Sequence, residues 1–326
     1  APVYTSRYAP RSVPAFYGSW DIRTSFMQHL PMVKRHHQPF LPLYPRAFQG
    51  FDLSEYEVVL SVSSAFSHGV TTGPNTCHIC YCLTPPRFLW SFEHYAQRES
   101  INSLANTALP FVLSRLRAWD LKAAARVHYF VAISQEVANR ISRIYGRESP
   151  VIYPPVDTAQ YHTSRDIGDF FLIVSRLIPY KRIDLAVEAF NRLGLPLVIA
   201  GDGRDRAALQ AIAKSNIQFL GKVNDETVKD LYSRCRAFVF PGEEDFGLTP
   251  LEAQASGRPV IAYGAGGALE TVVDGVTGLF FREPSAEALS DMVRRFRPSD
   301  FDPAEMLRNA ARFDVKAFRA QFGDFV

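Results

Sequence analysis

Apolar residues fall into two rhythms along the second half of this chain. Short unbroken runs occur at Phe170–Ser175, Pro196–Ala200, Ile217–Leu220, Ala237–Phe240 and Pro259–Tyr263. Their length and content predict strands buried on both faces. Between them the apolar spacing changes to three and four. Ile183, Ala186, Val187, Phe190 and Leu193 make one stripe of a helix predicted over Lys181–Leu193. Further helices are predicted over about 204–213, from the capping pair Asn224-Asp225 to Arg234, and over Leu248–Ala255. Strands alternating with helices at this spacing predict a doubly wound α/β domain. Ligands in such sheets bind beyond the carboxyl ends of the strands, where Arg176, Gly201, Gly242 and Gly264 fall.

The first half is less regular. Glu57–Val62, His78–Cys82, His128–Ser134 and Val151–Tyr153 read as strands, with helices over about 106–125 and 135–145. Before residue 50 no strand is evident. Tyr153-Pro154-Pro155-Val156-Asp157 and the residues after it to Ile167 are the predicted linker.

Composition narrows the class. The 326 residues suffice for two domains, and 47% hydrophobic with 21% charged is a soluble globular balance. No apolar run is long enough to span a membrane, and the first residues lack a signal-peptide layout. The net charge of +3 hides an asymmetry. Residues 1–165 hold sixteen basic and ten acidic side chains and all eight histidines, whereas the remainder carries a net −3. The basic half suits an anionic partner such as a phospholipid surface or a lipid diphosphate; plainly solvated charge is the alternative.

Cys77-His78-Ile79-Cys80 has no second ligand pair at metal-site spacing. Free cysteines in a buried strand, hence a reducing cytoplasmic compartment, are expected instead. His36 and His37 beside Lys34 and Arg35 read as a basic patch.

Candidate chemistry concentrates after two strands. Arg176 and Lys181 flank a strand-to-helix turn, with Lys181 expected at the helix start, an arrangement suited to a diphosphate. Glu244 lies in a loop and Glu252 eight residues on, inside the helix that Gly247-Leu248 opens. Carboxylates so placed can accept hydrogen bonds from vicinal hydroxyls. Asp245 is expected to be structural or solvent-facing. Gly264-Ala265-Gly266-Gly267 is open to two readings, a phosphate-approaching loop or a tight turn. The chain contains no P-loop, dinucleotide fingerprint, nucleophile elbow or H-E-x-x-H motif.

At these residues the sequence resembles the retaining GT-B glycosyltransferases of family 4, with the WbaZ-like O-antigen mannosyltransferases closest. The resemblance is carried by Ser175–Arg182, Ala200–Gly203, Glu244–Glu252 and Gln254–Tyr263, and in the first half by Leu60–Val70 and Cys80–Arg87. It implies an α/β chain of two Rossmann-like domains facing across a cleft. Residues 1–165 would form the acceptor-side domain and 166–312 the nucleotide-sugar domain, with 313–326 a helix crossing back to the first. Arg176 and Lys181 would bind the diphosphate, Glu244 the transferred sugar and Glu252 the ribose. Gly201 would line the donor site, backbone near Lys222-Val223 would meet the base, and Phe246, Gly247 and Leu248 would line the sugar-phosphate pocket. No metal or other cofactor is implied, since cationic side chains take that place.

Two departures from the family pattern stand out. The family's opening strand, Gly-Gly loop and helix have no counterpart here, so the first sheet is expected to lack a central strand and to expose apolar neighbours. Leu83 stands where many members have His, and leucine cannot hydrogen-bond a hydroxyl. Ser63 or Ser64 and Arg87 are the other acceptor-side candidates. The resemblance implies mannose transfer from GDP-mannose to a glycan or lipid-linked acceptor in cell-surface polysaccharide synthesis, by a cytoplasmic protein either free or peripheral at the inner membrane face. The alternative is a nucleotide-sugar-binding subunit completed by a second polypeptide.

Overall fold

The computed structural model describes residues 1–33, 38–90 and 109–326. The basic run 34–37 and the first turn of the helix expected from residue 106 lie outside the described residues. The chain divides into two compact units, 1–133 with 137–151, and 134–136 with 152–326.

The first unit contains two separate parallel sheets. Strands β1 (Val3–Thr5) and β2 (Ile22–Thr24) pair in one, and β3 (Val58–Ser63), β4 (Cys77–Cys82) and β5 (Tyr129–Ala132) form the other in that order. The first pair escaped sequence reading because three residues are too few to show alternation. Val151 makes only an isolated bridge to Ala132, not the predicted strand. Pro154 and Pro155, which have no N–H to donate, follow directly. Helices α1 (Leu109–Ala124) and α2 (Gln135–Tyr145) follow the predicted stripes. Met27, Tyr44, Phe66, Leu89, Leu113 and Leu116 form the core beneath them.

Strand β3 inverts the usual alternation. Val58, Leu60 and Val62 are 46%, 48% and 55% exposed, whereas Ser61 and Ser63 are buried. The outer edge of β3 has no strand partner among the described residues. A cavity of about 690 Å³ adjoins it, lined by Val3, Thr5, Val62, Ala65, Phe66 and Phe88 among others. Apolar side chains are therefore exposed on β3, as expected.

The second unit holds six parallel strands: β6 (Phe171–Val174), β7 (Leu197–Ala200), β8 (Ile217–Gly221), β9 (Phe238–Phe240), β10 (Val260–Tyr263) and β11 (Gly278–Phe281). Their order is β11-β10-β9-β6-β7-β8. Both faces are dry. Phe171, Ile173, Val187, Phe190, Ile199 and Val239 pack on one, and Leu172, Tyr232, Phe238, Phe240, Val260 and Ala262 on the other. That is why these strands read as unbroken apolar runs, each fully buried large side chain stabilising by about 1.5–3 kcal/mol. Helices α3 (Ile183–Leu193), α4 (Arg206–Ile212), α5 (Asp225–Arg234) and α6 (Leu248–Ala255) lie where the stripes place them. The Asn224 side chain caps α5, accepting from the Thr227 amide at 2.8 Å.

Beyond Tyr263 the alternation continues through a short helix (Ala268–Thr271), β11 and three longer helices, α7 (Ala286–Arg295), α8 (Pro303–Ala311) and α9 (Val315–Phe325). Strand β11 opens on a glycine, which weakens its strand signature, and it was not read from the sequence. Asp314 caps α9 and also accepts the Thr158 hydroxyl at 2.6 Å, pinning the predicted linker to the C-terminal segment within this unit.

The chain runs β6 to β7 to β8 toward one edge, then returns to place β9 on the other side of β6. A topological switch point therefore lies between β6 and β9. Open α/β sheets bind ligands in the crevice at such a point.

Candidate functional site

Two loops leave the switch point, one after β6 and one after β9. The first turns at Pro179–Lys181 in a single 3-10 turn, and Arg182 then adopts φ +52° before α3 begins at Ile183. Lys181 thus ends the turn that precedes the helix, two residues before its first residue. Its amide donates to the Ile178 carbonyl at 3.0 Å and is not free for a phosphate. The side chain is what the site can use.

Neighbouring loops hold this turn by backbone contact. Gly201, at φ +133°, lies so close to the β6 loop that a Cβ there would meet the Ser175 carbonyl oxygen at 1.8 Å. Leu177 donates to the Asp202 carbonyl at 3.0 Å, and Asp205 donates back to Leu177 at 3.1 Å. On the other side the Gly267 amide donates to the Glu244 carbonyl at 2.8 Å. A Cβ on Gly267 would strike Phe246 backbone at 2.2 Å. The loops after β6, β7, β9 and β10 are in this way fixed against one another.

The glycine-rich loop resolves to a turn. Gly264, Ala265 and Gly267 donate to the carbonyls of Phe281, Tyr263 and Glu244. Those amides serve the fold, and the phosphate-approaching reading is corrected for them.

The charged residues meet across the switch point. The Lys181 ammonium forms an ion pair with Glu244 Oε1, with the two side chains only 16% and 19% exposed. It also lies 5.3 Å from the centre of the Tyr180 ring. Arg176 is exposed and makes no ion pair among the described residues. Lys181 and Glu244, expected to serve two parts of one ligand, are thus directly coupled. A diphosphate at Lys181 would compete with the Glu244 carboxylate.

Glu252 stands apart on α6, a helix opened by Gly247 at φ +95° with no side-chain cap. It is not in the Lys181–Glu244 pair. Its Oε2 accepts from the Tyr232 hydroxyl at 2.8 Å, and the Tyr161 hydroxyl lies close to the same carboxylate. Burial pushes its pKa up, the two tyrosines oppose that, and the net direction is upward. Neither tyrosine was singled out from sequence. Tyr232 reads as one more apolar position of α5, and nothing local marks its hydroxyl.

The remaining donor-side candidates divide. Phe246 is only 3% exposed, its ring stacked on Tyr153 at 5.5 Å and close to Phe313. The ring is therefore taken up in packing, which leaves the backbone of Phe246 as the part able to line a pocket. Leu248 is exposed at the start of α6, and Val223 is half-buried in the loop after β8. Asp245 is half-buried.

In the first unit Ser63 is buried, its Oγ 3.1 Å from His68 Nδ1, so it is not open to an acceptor. Ser64 is exposed and lines the 690 Å³ cavity. Leu83 is half-buried, and its amide extends the β3–β4 ladder by donating to Ser63 at 2.8 Å. Arg87 opens a short helix, Arg87–Trp90.

Behind Ser63 lies a buried polar network absent from the sequence expectations. His68 Nε2 is 3.1 Å from Asp120 Oδ1, and Asp120 Oδ2 accepts from Trp90 Nε1 and Tyr145 Oη at 2.8 Å each. Burial alone would lower the His68 pKa, but the Asp120 charge prevails and raises it. His78, bonded to Ser61 Oγ at 2.9 Å, goes the other way, pushed down to about 4 chiefly by burial. The one readable signal was the period-two placing of Ser61 and Ser63 in an apolar strand. The four cysteines are free thiols, and no group of metal-ligating side chains occurs among the described residues. No helix among them is long and apolar enough to cross a membrane.

Parts of the chain match known proteins. Residues 160–313 match the family Glycosyl transferases group 1. Over 213 residues the chain is 30% identical to the D-rhamnosyltransferase WbpZ of Pseudomonas aeruginosa, covering 62% of this chain and 56% of that one. It is 41% identical over 107 residues to a GDP-mannose-dependent alpha-mannosyltransferase of Mycolicibacterium smegmatis, covering 32% and 28%. The matched stretch takes in only 48% and 41% of the length of two other curated relatives. The crystal structure of Anabaena Alr3699/HepE in complex with UDP-glucose superposes with a TM-score of 0.69 at 19% identity, covering 95% of this chain and 87% of that one. The chain has the GT-B fold, and its residues 160–313 are similar in sequence to the group 1 glycosyl transferases.

Proposed function

We propose that this protein is a nucleotide-sugar-dependent glycosyltransferase that moves mannose from GDP-mannose to a glycan or lipid-linked acceptor, retaining the anomeric configuration and using no metal. The observation that carries the reading is the placement of Lys181 and Glu244 on the two loops leaving the switch point, with Arg176 on the same loop as Lys181. Lys181 and Arg176 would bind the diphosphate and stabilise charge on the leaving group. Glu244, released from Lys181 as the phosphates arrive, would accept hydrogen bonds from the transferred sugar. Glu252 would hold the ribose. The choice of mannose and guanine is supported by the mannosyltransferases among the relatives. The basic composition of residues 1–165 supports an anionic lipid acceptor or membrane surface.

Incubation with GDP-mannose or UDP-glucose, followed by assay of released nucleotide, tests this. Slow release from GDP-mannose is expected. Absence of binding by either donor rejects the donor site, and preference for UDP-glucose rejects the mannose assignment alone.

A second reading is a binding subunit that turns over only when a further strand completes the first unit. The split between the β1–β2 and β3–β5 sheets, with Val58, Leu60 and Val62 exposed, favours it. Tight donor binding without turnover, relieved by adding a peptide that supplies the strand, would distinguish it.

A further inference from the structure

The Glu252 carboxylate sits in an unusual setting for a ligand-binding group. It is mostly buried, it has no cationic partner among the described residues, and it accepts from the phenol of Tyr232, with the phenol of Tyr161 also close by. Tyr232 comes from α5 and is fully buried, with its hydroxyl 2.8 Å from Glu252 Oε2. Tyr161 comes from the segment preceding β6, its ring edge-on to Tyr232 at 6.1 Å. That segment is itself anchored, since Arg258 donates to the Ser164 carbonyl and Gly257 packs against Thr163.

Neutral phenols do something that an arginine would not. They fix the rotamer of a side chain with three free torsions, yet bring no positive charge to cancel its own. A carboxylate has about four acceptor positions, so two remain for a ligand. A charge not cancelled by a cation is a strong acceptor for hydroxyl groups and repels phosphate. Such a group would select the sugar part of a nucleotide and push the diphosphate toward Lys181 and Arg176.

We propose that Tyr232 and Tyr161 are positioning residues that aim the Glu252 carboxylate at the vicinal hydroxyls of the donor ribose. This rests on the nucleotide-sugar reading given above. A merely structural role is the competing account, in which Glu252 only satisfies the buried Tyr232 hydroxyl.

Calorimetric titration of the full chain with GDP and with 2′,3′-dideoxy-GDP separates the two. The wild type should bind GDP at least about tenfold more tightly, the worth of one hydrogen bond to a charged group. In the Tyr161→Phe, Tyr232→Phe double variant that ratio should fall to about twofold, with dideoxy-GDP affinity held within about twofold. Glu252→Gln should lose the preference likewise. In turnover the double variant should raise the donor KM and leave kcat in place, since the ribose is remote from the reacting atoms. Tyr161→Phe alone retains the buried Tyr232 and serves if the double variant does not fold; it should lose about half of the preference on a logarithmic scale. An unchanged preference in a folded variant overturns the proposal. A wild type that binds both nucleotides equally also overturns it while leaving the donor site standing. Failure to bind either nucleotide rejects the donor site and this inference together.

Discussion

The two units stabilise parallel strands by different means. In the second, six strands form one sheet whose two faces are buried under apolar side chains, and its loops interlock through glycines that admit no Cβ. In the first, two sheets stand apart, and the inward side of β3 presents serines to a hydrogen-bonded network of His68, His78, Asp120 and Tyr145. One unit should therefore respond to steric change and the other to charge. All three tryptophans (Trp20, Trp90 and Trp119) lie in the first unit, so their fluorescence follows that unit alone while far-UV circular dichroism follows both.

The largest effect is expected at Asp120. It is fully buried, with His68, Trp90 and Tyr145 converging on its carboxylate. Asp120→Ala leaves those groups unsatisfied and should cost the first unit about 3–5 kcal/mol. The tryptophan transition in urea should move to lower denaturant, with the dichroism change of the second unit left where it was. A joint shift of both would contradict separate stabilisation.

The steric counterpart is Gly201→Ala, which forces a Cβ against the Ser175 carbonyl. A cost of about 3 kcal/mol is expected in the second unit, seen by dichroism and not by tryptophan fluorescence. Gly146→Ala is its control. That glycine also has positive φ, but open space surrounds it, so about 1 kcal/mol is expected, in the first unit. Equal costs at the two positions would remove the argument from loop interlock.

How much of this was legible follows the same division. Where strands are buried on both faces, composition alone marks them, and β6 to β10 fell where the apolar runs lay. In the first unit β1 and β2 are three residues long, and the inward groups of β3 are serines, so the pattern that marks a core was missing. Arg176, Lys181 and Glu244 were readable because each follows a legible strand. The Lys181–Glu244 pair was not, since it depends on β9 returning beside β6. The tyrosines on Glu252 were hidden for a related reason: a phenol in an apolar stripe looks like any other core residue until its hydroxyl has a partner.

A smaller effect distinguishes the two buried histidines by pH. His78 has a depressed pKa, so its contribution is present above the unfolded value and lost as pH falls from about 6.5 toward 4. That loss should reach about 2–3 kcal/mol in the tryptophan-detected transition, and His78→Asn should flatten it. His68 has a raised pKa, so its pairing with Asp120 stabilises fully below about pH 6.5 and fades as pH rises through the folded value. His68→Asn should accordingly cost more at pH 6 than at pH 9. The second unit should show neither trend, and the same acid loss in its transition would undo the contrast.

Direct titration of the wild type and Lys181→Ala with GDP tests the claim on which the functional account turns. The substitution removes the cation at the switch point and leaves Glu244 unpaired to repel phosphate. The account predicts micromolar binding by the wild type and a loss of about 30-fold or more in the variant, roughly 2 kcal/mol. Equal affinity of the two proteins for GDP would place the diphosphate elsewhere and contradict it.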